Sequence, residues 1–356
     1  MIYNVFVDVY KKRNTAGLKA PADIANISKK NGYKRFDIPV YTAGNSKLKD
    51  KIVLVWTMAS YLGRLFFTLK PGDKVIMQHP NYGIKPLIKG IPIIRKFRTA
   101  EFIVLIHDLP SLRTDVRDWT EERAKWSRLA DSEFLCTFDY VISHNSHMSE
   151  YLKQIGIPED NIRNLEIFDY LNDSDRKQPS KCKVPTITIA GYLGKTKCNY
   201  IYDMIGDPDQ LHVNLYGLDF DEDSKKENMT YFGSFNPEEL VDHLEGDFGL
   251  VWDGESAKTC TGIMGEYLRY NNPHKTSLYL SSNMPVIVWK EAAIADFVRK
   301  HGVGILVDSL NEIPSAIQAL SAEEYQKICE NVKKISDKLR SGYYFTTAVN
   351  ACTKRR

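Results

Sequence analysis

The chain has 356 residues, of which 43% are hydrophobic and 26% charged, with a formal net charge of +3. This is the balance of an ordinary folded chain, so it excludes a disordered protein, and the charge is too small to argue for a nucleic-acid partner. No run of eighteen or more apolar residues is present to span a membrane, and the alternating opening Met1 to Asp8 has no charged-then-apolar leader, so no signal peptide is expected. The six cysteines, Cys136, Cys182, Cys198, Cys260, Cys329 and Cys352, are scattered without a C-x-x-C pair. That spacing suggests neither a zinc site nor a disulfide framework, and reduced thiols in a cytoplasmic protein are expected.

The length suits two domains of roughly 150 residues each. In chain order, short apolar runs alternate with amphipathic segments, which is the pattern of a parallel sheet covered by helices. Val5–Val7, 35–40, 74–78, 102–106 and 140–143 read as strands, separated by stretches long enough for crossover helices. A polar stretch from Asn172 to Lys181 reads as a linker. A second series follows at 186–190, 213–216, 248–252, 286–289 and 304–307, and Ala322 to Leu339 reads as a helix. The fold class expected is α/β, with two Rossmann-like domains: residues 1–171, a linker at 172–183, and a second domain at 184–335.

Ligands of such folds bind beyond the carboxyl ends of the strands, so the residues just after each strand carry the functional information. In the first half these are Asn14, Thr15 and Gly17 in the first loop, His79, the pair His107-Asp108, and His144. A carboxylate at such a place can accept a proton from an attacking hydroxyl, which singles out Asp108. In the second half, Gly191-Tyr192-Leu193-Gly194-Lys195 and Tyr216-Gly217 occupy the equivalent places, and Tyr231-Phe232-Gly233 comes after a polar loop. Glycines admit close backbone approach, a lysine can pair a phosphate, and aromatics can stack on a base. Further on, Asn272-Pro273-His274-Lys275-Thr276-Ser277 reads as a loop opening a helix. The unpaired N–H groups and macrodipole of a helix start favour an anion, and Lys275 adds a full charge. Read blandly, the same residues form a capped helix packed on the strand that follows.

Two further patterns have competing explanations. Asp219-Phe220-Asp221 and Asp173-Ser174-Asp175 have the spacing with which two carboxylates can reach one divalent cation. Both sit in polar, acidic stretches and read as solvated loops, so no metal is expected. The segment 85–98 has five basic residues, no acidic ones and many apolar ones. It fits either a crossover helix with a solvated basic face or peripheral contact with an anionic membrane surface.

The runs Phe248 to Gly254, Thr259 to Gly262, Glu266-Tyr267-Leu268 and Asn271 to Leu280 resemble the bacterial β-1,6-galactofuranosyltransferases of the GT-B fold. So do Ile106-His107-Asp108, Val141 to Asn145, Ile167 to Leu171 and Arg340 to Phe345. The resemblance covers nearly the whole chain and is thinnest between Tyr10 and Ala100. It implies two Rossmann-like domains facing a cleft, acceptor on the first and nucleotide sugar on the second, with the last segment, 336–356, returning to the first. It implies transfer of galactofuranose from UDP-galactofuranose to a sugar hydroxyl of a lipid-linked surface glycan such as an O-antigen or capsule. Inverting chemistry without a metal or other cofactor is expected. On that reading Lys195 and Lys275, with Gly194, His274 and Thr276, face the donor diphosphate, and Gly217, Tyr231 and Phe232 lie near the uridine. Asp108 with His107 serves as base, and Asn14, Thr15, Gly17, His79 and His144 line the acceptor side. More distant glucosyltransferases that extend adhesin glycans share the outline, which leaves UDP-glucose open as donor. A non-catalytic partner subunit is the rival from another class, and an epimerase or dehydrogenase is disfavoured because no G-x-G-x-x-G follows the first strand. Oligomeric state stays open, a homo-oligomer included.

Overall fold

The computed structural model describes residues 1–7, 16–38, 47–81, 83–113, 125–126, 128–174, 184–204 and 208–353. The chain divides into two compact units, Met1–Arg13 with Ile24–Leu165 and Thr346–Arg356, and Asn14–Asp23 with Glu166–Phe345.

The first unit is built on β1 (Ile2–Val7), β2 (Lys34–Ile38), β3 (Lys74–His79), β4 (Glu101–Ile106), β5 (Tyr140–Ser143) and β6 (Ile162–Asn164). All pair in parallel, in the order β2-β1-β3-β4-β5-β6. A parallel sheet is covered on both faces, which is why its inner strands are continuous apolar runs. Phe102 to Ile106 of β4 are all fully buried. The helices α1 (Ala16–Lys30), α2 (Lys47–Thr68), α3 (Ile84–Arg98) and α4 (Ser146–Gln154) belong to the crossovers. Leu87, Ile91 and Ile94 of α3 and Tyr61 and Leu65 of α2 join Val75, Met77 and Phe102 in one core. Each such apolar side chain contributes about 2 kcal/mol by leaving water. The strand expected at 35–40 is described only as far as Ile38. The edge strand β6 has no apolar run to announce it, and its residues are half-buried or exposed.

The second unit contains β7 (Thr186–Tyr192), β8 (His212–Leu218), β9 (Met229–Tyr231), β10 (Phe248–Val251), β11 (Val286–Trp289) and β12 (Gly304–Val307), again parallel. Their order is β12-β11-β10-β7-β8-β9, so the winding reverses between β7 and β10. The helices that matter here are α5 (Lys195–Cys198), α6 (His274–Ser281), α7 (Ala322–Ser341) and α8 (Tyr343–Thr353). A capping box formed by Ser321 and Glu324 starts α7, and Gly342, in the left-handed region, ends it. Asp169 then caps α8, its carboxylate accepting the backbone N–H groups of Tyr344 and Phe345 at 3.1 and 2.7 Å. Burial pushes that carboxyl up to about 7.

The structure corrects one placement: Gly17 lies inside α1 rather than in a loop. Tyr231, after its polar loop, ends the edge strand β9. Asn14 and Thr15 lie outside the described residues.

Candidate active site

The switch point of the second sheet lies between the carboxyl ends of β7 and β10, where a doubly wound fold opens a crevice. The segment after β7 turns through Leu193 and Gly194 into α5, and the segment after β10 carries Trp252 and Asp253. The two segments are tied together where the Gly254 N–H donates to the Lys197 carbonyl at 3.1 Å. Lys275, in the first turn of α6, reaches the same place. Its ammonium donates to the Trp252 carbonyl at 2.7 Å and to Asp253 Oδ1 at 2.9 Å. Lys197 stands 3.8 Å from that same carboxylate oxygen. Burial alone would favour neutral Lys275, but the charge and hydrogen bond of Asp253, together with Cys198 and Tyr279, outweigh it and hold the ammonium above the usual lysine range. The nearby thiols of Cys198 and Cys260 are pushed up by burial, so neither is a thiolate nucleophile at neutral pH.

The position of α6 follows from two local features. Gly249 of β10 has no side chain, and a Cβ there would meet the Tyr279 ring at 2.1 Å. The absence of that atom lets Tyr279 lie against the strand, and its hydroxyl accepts the Ala190 N–H of β7 at 2.8 Å. The helix is therefore held, through Tyr279, against both strands of the switch point. Its other polar groups differ in their partners. The Ser277 hydroxyl donates to the Phe168 carbonyl at 2.7 Å. Thr276 Oγ1 and His274 Nε2 are buried without a hydrogen-bond partner among the described residues. A buried polar atom left unpaired costs about 1–3 kcal/mol, so each asks for an explanation. The His274 imidazole, lowered to about 4 by burial and the charge of Lys19, is neutral at pH 7.

Lys195 is turned elsewhere. It is half-exposed and pairs with Asp221 Oδ2 at 2.6 Å, whose other partner is the Ser224 hydroxyl at 2.7 Å. That pairing takes up one carboxylate of the Asp219-Phe220-Asp221 motif, while Phe220 is buried and stacks on Tyr202. Asp175 of the other motif lies outside the described residues. Among the described residues no cluster of three His, Cys, Asp or Glu is placed to hold a metal. Gly217 is drawn into the sheet edge: its N–H donates to Gly233 O at 2.8 Å and its carbonyl accepts the Tyr231 hydroxyl at 2.8 Å. With φ at +151° and Gly191 O where a Cβ would stand, only glycine fits there. Phe232 stacks on Tyr216 at 4.7 Å with the rings nearly parallel, and keeps partial exposure.

In the first unit, Asp108 follows β4 and stays partly exposed, with Arg113 Nη1 donating to its Oδ2 at 2.5 Å. His107 Nε2 lies 2.7 Å from Gln78 Oε1. His79 and His144 are enclosed by protein rather than lining an open surface. His79 Nε2 is 3.1 Å from Asp131 Oδ1, and His144 Nε2 is 3.0 Å from the Ile106 carbonyl. Burial lowers the His144 imidazole to about 4. Lys275, Thr276 and His274 are thus gathered at one helix start, and Lys195, Gly217, Tyr231 and Phe232 lie toward the β8–β9 side. Lys197 escaped the sequence reading, and its signal was its place two residues after Lys195. Asp253 lay in the run Phe248 to Gly254 but was given no role there.

Residues 3–167 match the model of the glucosyltransferase 3-like N-terminal domain and 187–352 that of the C-terminal domain. A β-1,6-galactofuranosyltransferase, WbbI of Escherichia coli K12, is 34% identical over 95% of this chain and 94% of its own. Glucosyltransferase 3 of Streptococcus gordonii is 25% identical over 93% and 92%. Among solved structures, Anabaena HepE, in complex with UDP and glucose, matches 99% of each chain with a TM-score of 0.59 at 12% identity.

Proposed function

The chain belongs to the glucosyltransferase 3-like family and is a glycosyltransferase of the GT-B fold, and from that premise we propose that it transfers galactofuranose from UDP-galactofuranose to a sugar hydroxyl. The linkage proposed is β-1,6, formed with inversion, on a lipid-linked bacterial surface glycan assembled at the cytoplasmic face of the membrane. What carries the donor reading is the start of α6, where Lys275 and Lys197 converge on one carboxylate beside Thr276 Oγ1 and His274 Nε2, which have no hydrogen-bond partner among the described residues. Cations and helix N–H groups there would stabilise the departing UDP as negative charge builds on it, without a metal ion. Lys195 would add its charge by leaving Asp221, and Phe232 offers a ring to the uracil. Asp108 would take the acceptor proton, and for that its pair with Arg113 must open, because a guanidinium weakens a carboxylate as a base. His107 would orient it.

The second reading is a UDP-glucose-dependent glucosyltransferase, favoured by the Streptococcus gordonii relative. UDP release measured in excess chelator with UDP-galactofuranose, UDP-galactopyranose and UDP-glucose, offering simple galactosides and glucosides, separates the two. Turnover confined to the furanose donor supports the first reading. Turnover with UDP-glucose replaces it with the second, and dependence on added metal overturns the metal-free mechanism.

A further inference from the structure

The outward face of α2 carries residues that a helix covering a sheet does not need. Its inward face is used by the core through Met58, Tyr61 and Leu65. On the opposite side Ile52, Trp56 and Phe67 recur at helical spacing, flanked by Val53, and all are exposed, Trp56 by 74% and Phe67 by 80%. A surface helix normally places charged residues there. From Lys51 to Gly72 the sequence has no acidic residue at all.

The helix α3 continues this surface. Gly90 lets it lie close to α2, since a Cβ there would meet Leu62 at 2.6 Å. Phe97, 66% exposed, packs edge-on against Phe66, and Phe66 meets Phe67 in the same way. Ile93, one turn before Phe97, is exposed as well. Lys85, Lys89 and Lys96 are exposed on the same helix, and the Arg98 guanidinium lies 4.2 Å over the Phe66 ring. Arg95 differs, being held by Asp139 and the Thr137 carbonyl. Leu87, Ile91 and Ile94 are turned into the core, so α3 supplies mainly cations and α2 the apolar area.

We propose that the outward faces of α2 and α3 form one docking surface for an anionic lipid bilayer. The rings of Trp56, Phe67 and Phe97 would sit at the headgroup boundary, where aromatic and aliphatic side chains favour burial. Lys85, Lys89 and Lys96 would meet lipid phosphates. A second copy of this chain fits less well. A self-complementary contact would set one cationic rim against another, and neither residues 51–72 nor residues 84–98 include an acidic residue to pair it. The inference extends the reading of a lipid-linked acceptor, on which its purpose rests, whereas the binding itself rests on the surface alone.

Flotation with phosphatidylcholine vesicles, and with vesicles of equimolar phosphatidylcholine and phosphatidylglycerol, tests it on the full-length protein. Binding is expected only to the anionic vesicles and should weaken as salt is raised. Trp56→Ser and Phe67→Ser should each weaken it about tenfold or more. Lys89→Glu combined with Lys96→Glu should weaken it at least about 25-fold, roughly fivefold for each attraction removed. Turnover of a water-soluble acceptor should be unchanged in all of these variants. Equal binding to both vesicle types, or binding that the variants leave intact, overturns the proposal. A dimer in sedimentation velocity that Trp56→Ser dissolves, with no vesicle binding by the wild type, assigns the face to a second copy instead. Loss of turnover with every donor while anionic-vesicle binding persists strikes the glycosyl-transfer reading and leaves this one standing.

Discussion

The role of Lys275 can be separated from its structural duty by a cycle with Asp253. The ammonium and the carboxylate are 2.9 Å apart, with side-chain exposures of 13% and 5%. At an effective dielectric constant of about 20 their attraction is about 6 kcal/mol before the desolvation of both groups is set against it. Lys275→Met leaves the buried carboxylate without its nearer partner. Breaking such a pair costs about 3–5 kcal/mol, and the lower end is expected because Lys197, 3.8 Å away, can move in. Replacing both partners, Lys275→Met with Asp253→Asn, leaves no buried charge to compensate, so stability should return to within about 1 kcal/mol of the wild type. Urea unfolding reads that part of the cycle. The chemistry should respond differently. If Lys275 neutralises charge on the departing UDP, the single and the double variant should both lose about 100- to 1000-fold in kcat/KM. A double variant that regains stability and also regains wild-type kcat/KM would refute the reasoning, leaving Lys275 as no more than the structural partner of Asp253.

Three other outcomes are expected. Asp108→Asn should lower transfer at least about 100-fold while UDP affinity, measured by calorimetry, stays the same, since a base contributes to the proton transfer and not to donor binding. Phe232→Ala should weaken UDP binding by about 1 kcal/mol, roughly fivefold, if its ring stacks on the uracil; an unchanged affinity would place the base elsewhere. His144, with its ordinary value of 6.5 lowered to about 4 in the folded chain, gives stability that is complete above about pH 6.5 and is lost as the pH falls toward 4. Over that window the unfolded chain takes up a proton that the folded chain refuses, at a cost of about 3 kcal/mol. His144→Gln should flatten the corresponding slope in chemical denaturation between pH 4 and 6.5, and an identical slope in wild type and variant would contradict the burial argument.

Both sheets were legible because parallel strands buried on two faces must be continuous apolar runs, and Phe102 to Ile106 and Val286 to Trp289 are such runs. The helix from His274 and the strand from Val286 fall where the sequence placed a helix and a strand. The edge strands β6 and β9 were not legible as strands. Each has three residues, most of them only half-buried, so no alternation or run could form.

The partners of the charged groups were invisible for a different reason. Asp253 meets Lys275 only because β10 and the start of α6 are brought together at the switch point, twenty-two residues apart along the chain. Likewise His79 is enclosed because Asp131, fifty-two residues further along the chain, comes to it. Strand-end position locates a polar residue along the sheet, but it does not say whether a later segment covers it. That distinction decides chemistry here. At the same kind of strand end, His79 and His144 are sealed in, whereas Asp108 keeps a partly exposed carboxylate against Arg113. A proton acceptor must be reachable by its substrate, so among these polar groups it is Asp108, and neither enclosed imidazole, that retains the access a base requires.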